Sequence, residues 1–220
     1  MDPEIISELF PLLLQGLWIL VQLTFWAAIV ALGVGLAIAI GLRVAPSYIR
    51  VPLFWFAEFI RNTPLLVQAV FAWFFVLTTP IAQSASPFWV GVGVLGLHYA
   101  CYCAEAYRAG IDGISAGQWE AITAISLPKP RAWSDILIPQ MMRRCTPALG
   151  NYMIAMLKEV PILSAIGVLE MIRQVQDYVS ANFSGGVEGY TLAGLLFLAV
   201  SYPLAVAMRK LEIRLARAHG

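Results

Sequence analysis

Lys158 and Glu159 stand side by side in an otherwise apolar run, and Pro161 follows two residues later. An ionisable side chain deep in a bilayer costs roughly 2.5–3.5 kcal/mol on insertion scales, so it faces a cavity or a partner. A carboxylate beside an ammonium supplies an acceptor and a donor, which is what a small zwitterion requires. Successive helical residues point about 100° apart. The two therefore neutralise each other only where the helix breaks, and Pro161 supplies a break. Interrupted helices near mid-membrane frame solute sites. Two other readings stay open: the pair marks the outer end of a span, or it meets a second chain.

A further constellation is Glu58 with Arg61, followed by Thr63 and Pro64. It reads as a local ion pair or as part of a gate. A helix-surface pair at this spacing is worth only about 0.2–0.5 kcal/mol, which favours a charge that orients the chain. The same holds for Glu105 with Arg108 and for Arg108 with Asp112. His98, Cys101 and Cys103 have no fourth ligand and no zinc-like spacing, so packing is the better reading. The Gly91–Gly96 stretch fits Gly-x-Gly-x-x-Gly inside an apolar run with no strand before it, which points to helix packing rather than dinucleotide binding. Asn182-Phe183-Ser184 is a glycosylation triplet by pattern only.

These residues sit in a chain of 220 residues that is 60% hydrophobic and 12% charged, with a mean hydropathy of +0.77. Soluble domains are about half apolar and about a quarter charged. Much of the surface must therefore meet lipid. A net charge of +1 argues against a nucleic-acid partner. The acidic start, Met1-Asp2-Pro3-Glu4, is unlike a signal peptide. The three cysteines are too few and too badly placed for a disulfide framework.

Five spans are expected: about 12–42, 62–77 closed by Pro80, 88–103, one from Pro147 broken around 158–161, and 190–207. Lys and Arg concentrate at 43–61, 108–144 and 209–217. Because such residues stay on the cytoplasmic side, the N-terminus is expected outside and the C-terminus inside. Lys158 and Arg173 alone depart from the pattern. Ala27, Ala31, Gly35 and Ala39 form a row of small residues on one helix face, which lets backbones approach closely.

The longest polar stretch, about 108–144, contains a helix signal. Ser115 and Gln118 have capping-box spacing, the run 118–125 makes two turns, and Pro128 and Pro130 stop it. Trp119, Ile122 and Ile125 fall on one side. The helix is read either as pressing into a partner's groove or as lying along the membrane surface.

Glu120-Ala121-Ile122, Ser126 and Ile136-Leu137-Ile138-Pro139 resemble the EAA loop of bacterial ABC-importer permeases. The spacing is intact; Ile122, Ser126 and Ile138 replace Ala, Gly and Leu. Arg61-Asn62-Thr63-Pro64-Leu65-Leu66-Val67-Gln68, the stretch Glu105–Ile111, Gly117–Ala121 and the segment from Asn151 to Ser164 are similar to the polar-amino-acid branch. The 158–170 segment, with Pro161 where many relatives have Ser, leans toward ectoine/hydroxyectoine permeases.

The resemblance implies an all-α, polytopic membrane protein with five transmembrane helices and a cytoplasmic coupling-helix loop, residues 1–220 forming one permease domain in the bacterial inner membrane. It implies a second permease chain, identical or paralogous, two ATPase subunits and an extracytoplasmic solute-binding protein. By the resemblance Glu120, Ala121 and Ser126 are coupling positions, with Gly117 beside them, and the helix face makes Trp119 and Ile122 the inferred contacts to the ATPase. Lys158, Glu159, Pro161, Gln68 and Asn151 become the substrate pathway, and Glu58, Arg61, Thr63 and Pro64 a gate or orientation cluster. The sequence has no Gly-x-x-x-x-Gly-Lys-Ser/Thr loop, so ATP and Mg are expected on the partner ATPases and no cofactor or catalytic residue on this chain. Two rival readings are an ion-coupled secondary transporter and a membrane anchor or sensor that only docks a partner.

Overall fold

The computed structural model describes residues 2–217, and the architecture is helical throughout those residues. The first helix, α1 (Pro3–Val44), is capped by Asp2, whose carboxylate accepts from the Glu4 amide at 3.0 Å. At 1.5 Å per residue its 42 residues extend about 63 Å, twice the hydrocarbon core. Its inward seam runs Leu9, Leu13, Gly16, Leu20, Leu23, Ala27, Ala31, Gly35, Ile38 and Ala39.

The small residues in that seam have a measurable purpose. α1 packs along α4 (Pro87–Asp112). A Cβ on Gly35 would meet the Cys103 Cβ at 2.7 Å and the Ala100 carbonyl oxygen at 2.8 Å. One on Gly96 would meet Val30 at 2.7 Å. Van der Waals packing at this distance drives association where lipid removes the hydrophobic advantage. Gly35→Leu is therefore expected to cost about 1–3 kcal/mol or to prevent folding, read as a lowered melting temperature and yield in detergent.

Between these two helices the chain departs from expectation. Residues 47–62, expected as a loop, form an amphipathic helix, α2 (Ser47–Asn62), despite Pro52 within it. It turns through 109° into α3 (Leu65–Leu77). Pro64 causes the turn: the residue before a proline is forced out of the helical region, and Thr63 sits at φ −105, ψ 140. At 13 residues, about 20 Å, α3 is too short to cross a bilayer alone. Among the described residues four helices can cross a membrane, and the bent pair makes a fifth.

After α4, a short helix α5 (Ala116–Ala124) lies beyond the bundle, followed by one turn, α6 (Lys129–Arg131), and a π-helical segment over Ala132–Leu137. α7 (Ile138–Glu159) begins nine residues before Pro147, which it absorbs. It passes into a 3-10 segment, Val160–Ile166, at the expected break. Gly167, at φ 90, ends that segment. An unanticipated amphipathic helix α8 (Met171–Asn182) then leads to the last span, α9 (Gly186–Arg217). Arg217's side chain, one of the orienting cations, lies outside the described residues. Trp18, Phe25, Phe71, Phe74 and Leu195 point outward, a large apolar exterior suited to lipid or to other membrane chains.

Candidate functional site

Two groups of residues stand apart from plain packing. The first lies inside the bundle. Gln68 on α3 donates from Nε2 to the Ile60 carbonyl (2.7 Å), the Thr63 carbonyl (3.0 Å) and the Thr63 hydroxyl (2.9 Å). Its Oε1 meets His98 Nδ1 on α4 at 3.2 Å. Gln68 therefore ties the open end of α2, where carbonyls lack helical partners, to the core of α4. His98, Tyr99 and Tyr102 on α4 and Tyr152 on α7 form a ring cluster with centroids 5.3–6.4 Å apart. The Tyr102 hydroxyl donates to the Arg61 carbonyl at 3.1 Å. Glu159 acts electrostatically on both His98 and Tyr99 and is a side-chain hydrogen-bond partner of Tyr99, while its Oε2 is buried with no hydrogen-bond partner. A buried carboxylate oxygen left unpaired is costly, and a cationic or N–H-bearing ligand would relieve it.

Lys158 does not share this cluster. It is exposed and lines a separate cleft of about 440 Å³ with Asn151, Ile154, Tyr202 and Arg209, between α7 and α9. The expected donor–acceptor pairing of Lys158 with Glu159 is corrected: the helix remains intact through Glu159, so the roughly 100° step sends the two side chains to different sides. Asn151 belongs with Lys158, and Gln68 with Glu159. Pro161, half-buried, opens the 3-10 segment.

The Glu58–Arg61 pair forms, but it is part of a larger network. Arg61 bonds Glu58 and also reaches Glu105 Oε1 at 3.4 Å across to α4. Glu105 holds Arg108 by two bonds of 2.6 and 2.9 Å. Arg61 and Glu105 are less than a third exposed, so this interhelix network is screened less than a surface pair. Thr63 caps the end of α2 through its hydroxyl to the Phe59 carbonyl at 2.7 Å, and Pro64 sets the bend. Asp112 is held by Arg43 at 3.2 Å rather than by Arg108.

The second group is α5. Ser115 occupies the expected N-cap position, but its side chain makes no capping bond; Gln118 instead accepts from Gln140 on α7 at 3.3 Å. The C-terminal end is well defined. The Ser126 amide bonds the Thr123 carbonyl (3.0 Å) and the Leu127 amide bonds the Ile122 carbonyl (3.1 Å). This reciprocal pattern closes a helix with a left-handed residue. Ser126 is that residue, at φ 50, the position where the EAA pattern carries glycine. A left-handed non-glycine residue costs roughly 1–2 kcal/mol. Ser126→Gly is thus expected to raise thermal stability by about 1 kcal/mol, and Ser126→Val to lower it, in a detergent melt.

Trp119 and Ile122 are half-buried and pack toward the chain's own core. Trp119 sets its edge on Trp133 of the π-helical segment at 6.0 Å, and the Arg43 guanidinium lies 5.6 Å from its centroid. Ile125, expected on the same side, is exposed at 67%. The outward residues are Gly117, Glu120, Ala121, Ala124, Ile125 and Ser126. The three-residue spacing of Trp119 and Ile122 defines a face that the sequence sets against a partner; that expectation is corrected, because both side chains pack against the bundle instead.

A bundle of membrane-crossing helices with a buried cluster of polar and aromatic side chains, and a short helix held out beyond one end, fits a multi-pass membrane permease. The chain belongs to the family described as binding-protein-dependent transport system inner membrane component, which it matches over residues 29–217. It is 30% identical to the arginine transport system permease protein ArtQ of Bacillus subtilis, over 93% of each chain. It is 29% identical to the glutamine transport system permease protein GlnP of Escherichia coli, over 97% of each. The crystal structure of an amino acid ABC transporter with histidines superposes with a TM-score of 0.84 at 29% identity, over 97% of this chain and 99% of the other. The protein is accordingly the non-catalytic permease component of an ABC importer in the inner membrane. Membership of this family implies ATPase and binding-protein partners.

Proposed function

We propose that this permease carries a polar amino acid inward through a path lined by Glu159, Gln68, His98 and Tyr99, driven by two ATPase subunits that grip the outer face of α5. The observation that carries this reading is the division of α5: Trp119 and Ile122 fasten it to the bundle, while Gly117, Glu120, Ala121 and Ser126 face away. In this arrangement ATP and Mg reside on the ATPases, a second permease chain completes the path, and an extracytoplasmic binding protein delivers the solute. The clusters of Arg and Lys at 43–61, 108–144 and 209–217 support a cytoplasmic C-terminus and an outside N-terminus. Residues 1–220 act as one permease domain.

The substrate class follows from the cluster's chemistry. A buried carboxylate oxygen without a partner favours a solute bearing an ammonium or guanidinium group, and the neighbouring tyrosine rings offer it cation–π contacts. Arginine and glutamine appear in the names of the relatives above, and an ectoine preference gains no support from them. Lys158 and Asn151, in the other cleft, serve a carboxylate at a separate stage of passage or a contact with the second permease chain.

The test is reconstitution with the cognate ATPase and binding protein in sealed vesicles. Uptake that requires ATP and survives an ionophore supports this reading. Uptake abolished by the ionophore would indicate an ion-coupled carrier, and ATPase binding with no uptake would indicate an anchor.

A further inference from the structure

Arg43 is the last basic residue of α1 and takes part in two contacts with other elements. Its Nη1 lies 3.2 Å from Asp112 Oδ1 at the end of α4. Its guanidinium carbon lies 5.6 Å from the centroid of Trp119 on α5. Trp119 in turn abuts Trp133, which belongs to the π-helical segment that runs into α7. One side chain therefore joins the ends of α1, α4 and α5, and through Trp119 reaches the helix that carries Glu159.

We propose that Arg43 is a positioning residue for transport: it fastens the coupling helix to the ends of α1 and α4, so that force applied to α5 moves those helices rather than swinging α5 alone. This inference rests on the reading of α5 as the ATPase-docking helix. A planar guanidinium suits the task because it can pair with a carboxylate and meet an indole face together. The Arg43–Asp112 pair is well exposed, at 39% and 57%, and such pairs contribute little to overall stability. Its importance is where it sits. α5 is nine residues long, and among the described residues its side-chain hydrogen bond to the bundle is that of Gln140 to Gln118 at 3.3 Å. A helix held by a few half-buried side chains transmits displacement only if those contacts stay closed. The π-helical turn under Trp133 fits a point that yields during movement.

The experiment uses the complete transporter in sealed vesicles, with solute uptake and ATP hydrolysis measured together. Arg43→Gln and Asp112→Asn are each expected to lower solute moved per ATP by about three- to tenfold, with the assembled complex present in normal amount. The double variant should be no worse than the poorer single one, and Arg43→Lys should recover part of the loss. An unchanged ratio in both single variants, additive losses in the double one, or losses explained wholly by reduced assembly would overturn the proposal. Glu120→Lys in the same preparation separates the two levels. If it uncouples while Arg43→Gln does not, only the positioning role fails; if neither has an effect, the docking role of α5 fails as well.

Discussion

Glu159→Gln is expected to reduce uptake about ten- to a hundredfold while the permease still inserts, assembles and hydrolyses ATP through its partners. A hydrogen bond to a charged group is worth roughly 1.5–3 kcal/mol, which corresponds to that range. The buried Oε2 has no hydrogen-bond partner among the described residues, so the substitution removes an acceptor from the solute while an amide oxygen can still accept from Tyr99. The effect should depend on the solute. A cationic substrate loses most and a neutral one less, so competition between an arginine-like and a glutamine-like solute before and after substitution reads the role directly. Equal uptake of both by the variant and the unaltered protein would remove Glu159 from the path. Gln68→Leu provides a contrasting case: it breaks the bonds to Ile60, Thr63 and His98 and should lower stability along with transport.

The second large effect concerns Glu120. It is exposed on the outward side of α5 and makes no ion pair among the described residues. Reversal to Lys places the opposite charge against whatever docks there, and like charges brought together at an interface oppose association strongly. Binding-protein-stimulated ATP hydrolysis and uptake should both fall by about tenfold or more, with unchanged insertion and melting temperature. Trp119→Ala should behave differently. It removes an inward side chain that supports Trp133 and Arg43, so it should lower stability as well as coupling.

The contrast between Glu120 and Trp119 shows where the sequence was informative. Local patterns are readable: the Ser115 start of α5, the break after Glu159 and the row Ala27–Ala31–Gly35–Ala39 depend on a few neighbouring residues and on backbone rules. Features that depend on distant partners are not. The spacing of Trp119 and Ile122 defines a face that reads as a partner contact, yet it packs on Arg43 and Trp133, which lie elsewhere in the sequence. α2 has no strong apolar run of its own and carries Pro52 in its interior, where a proline removes one helical bond, so its sequence reads as a linker between spans. α8 was hidden because its polar face lowered its apolar signal below that of a span. His98 reads as a packed residue for want of a fourth ligand or zinc-like spacing, and it is buried; its bond to Gln68 thirty positions away is what no local pattern reveals. Lys158 and Glu159 pair only if the helix breaks at them, and the break falls one residue later, at Val160, so they stay on different sides.

The site of force entry can be tested directly by placing a single reactive cysteine at Ala121, on the outward face of α5; Cys101, Cys103 and Cys145 are all buried and leave little background. In the assembled transporter that cysteine should cross-link to an ATPase subunit, the yield should change when ATP binds, and an impermeant reagent added outside sealed cells should not reach it. Labelling from outside, or a cross-link to the solute-binding protein instead of the ATPase, would contradict the account.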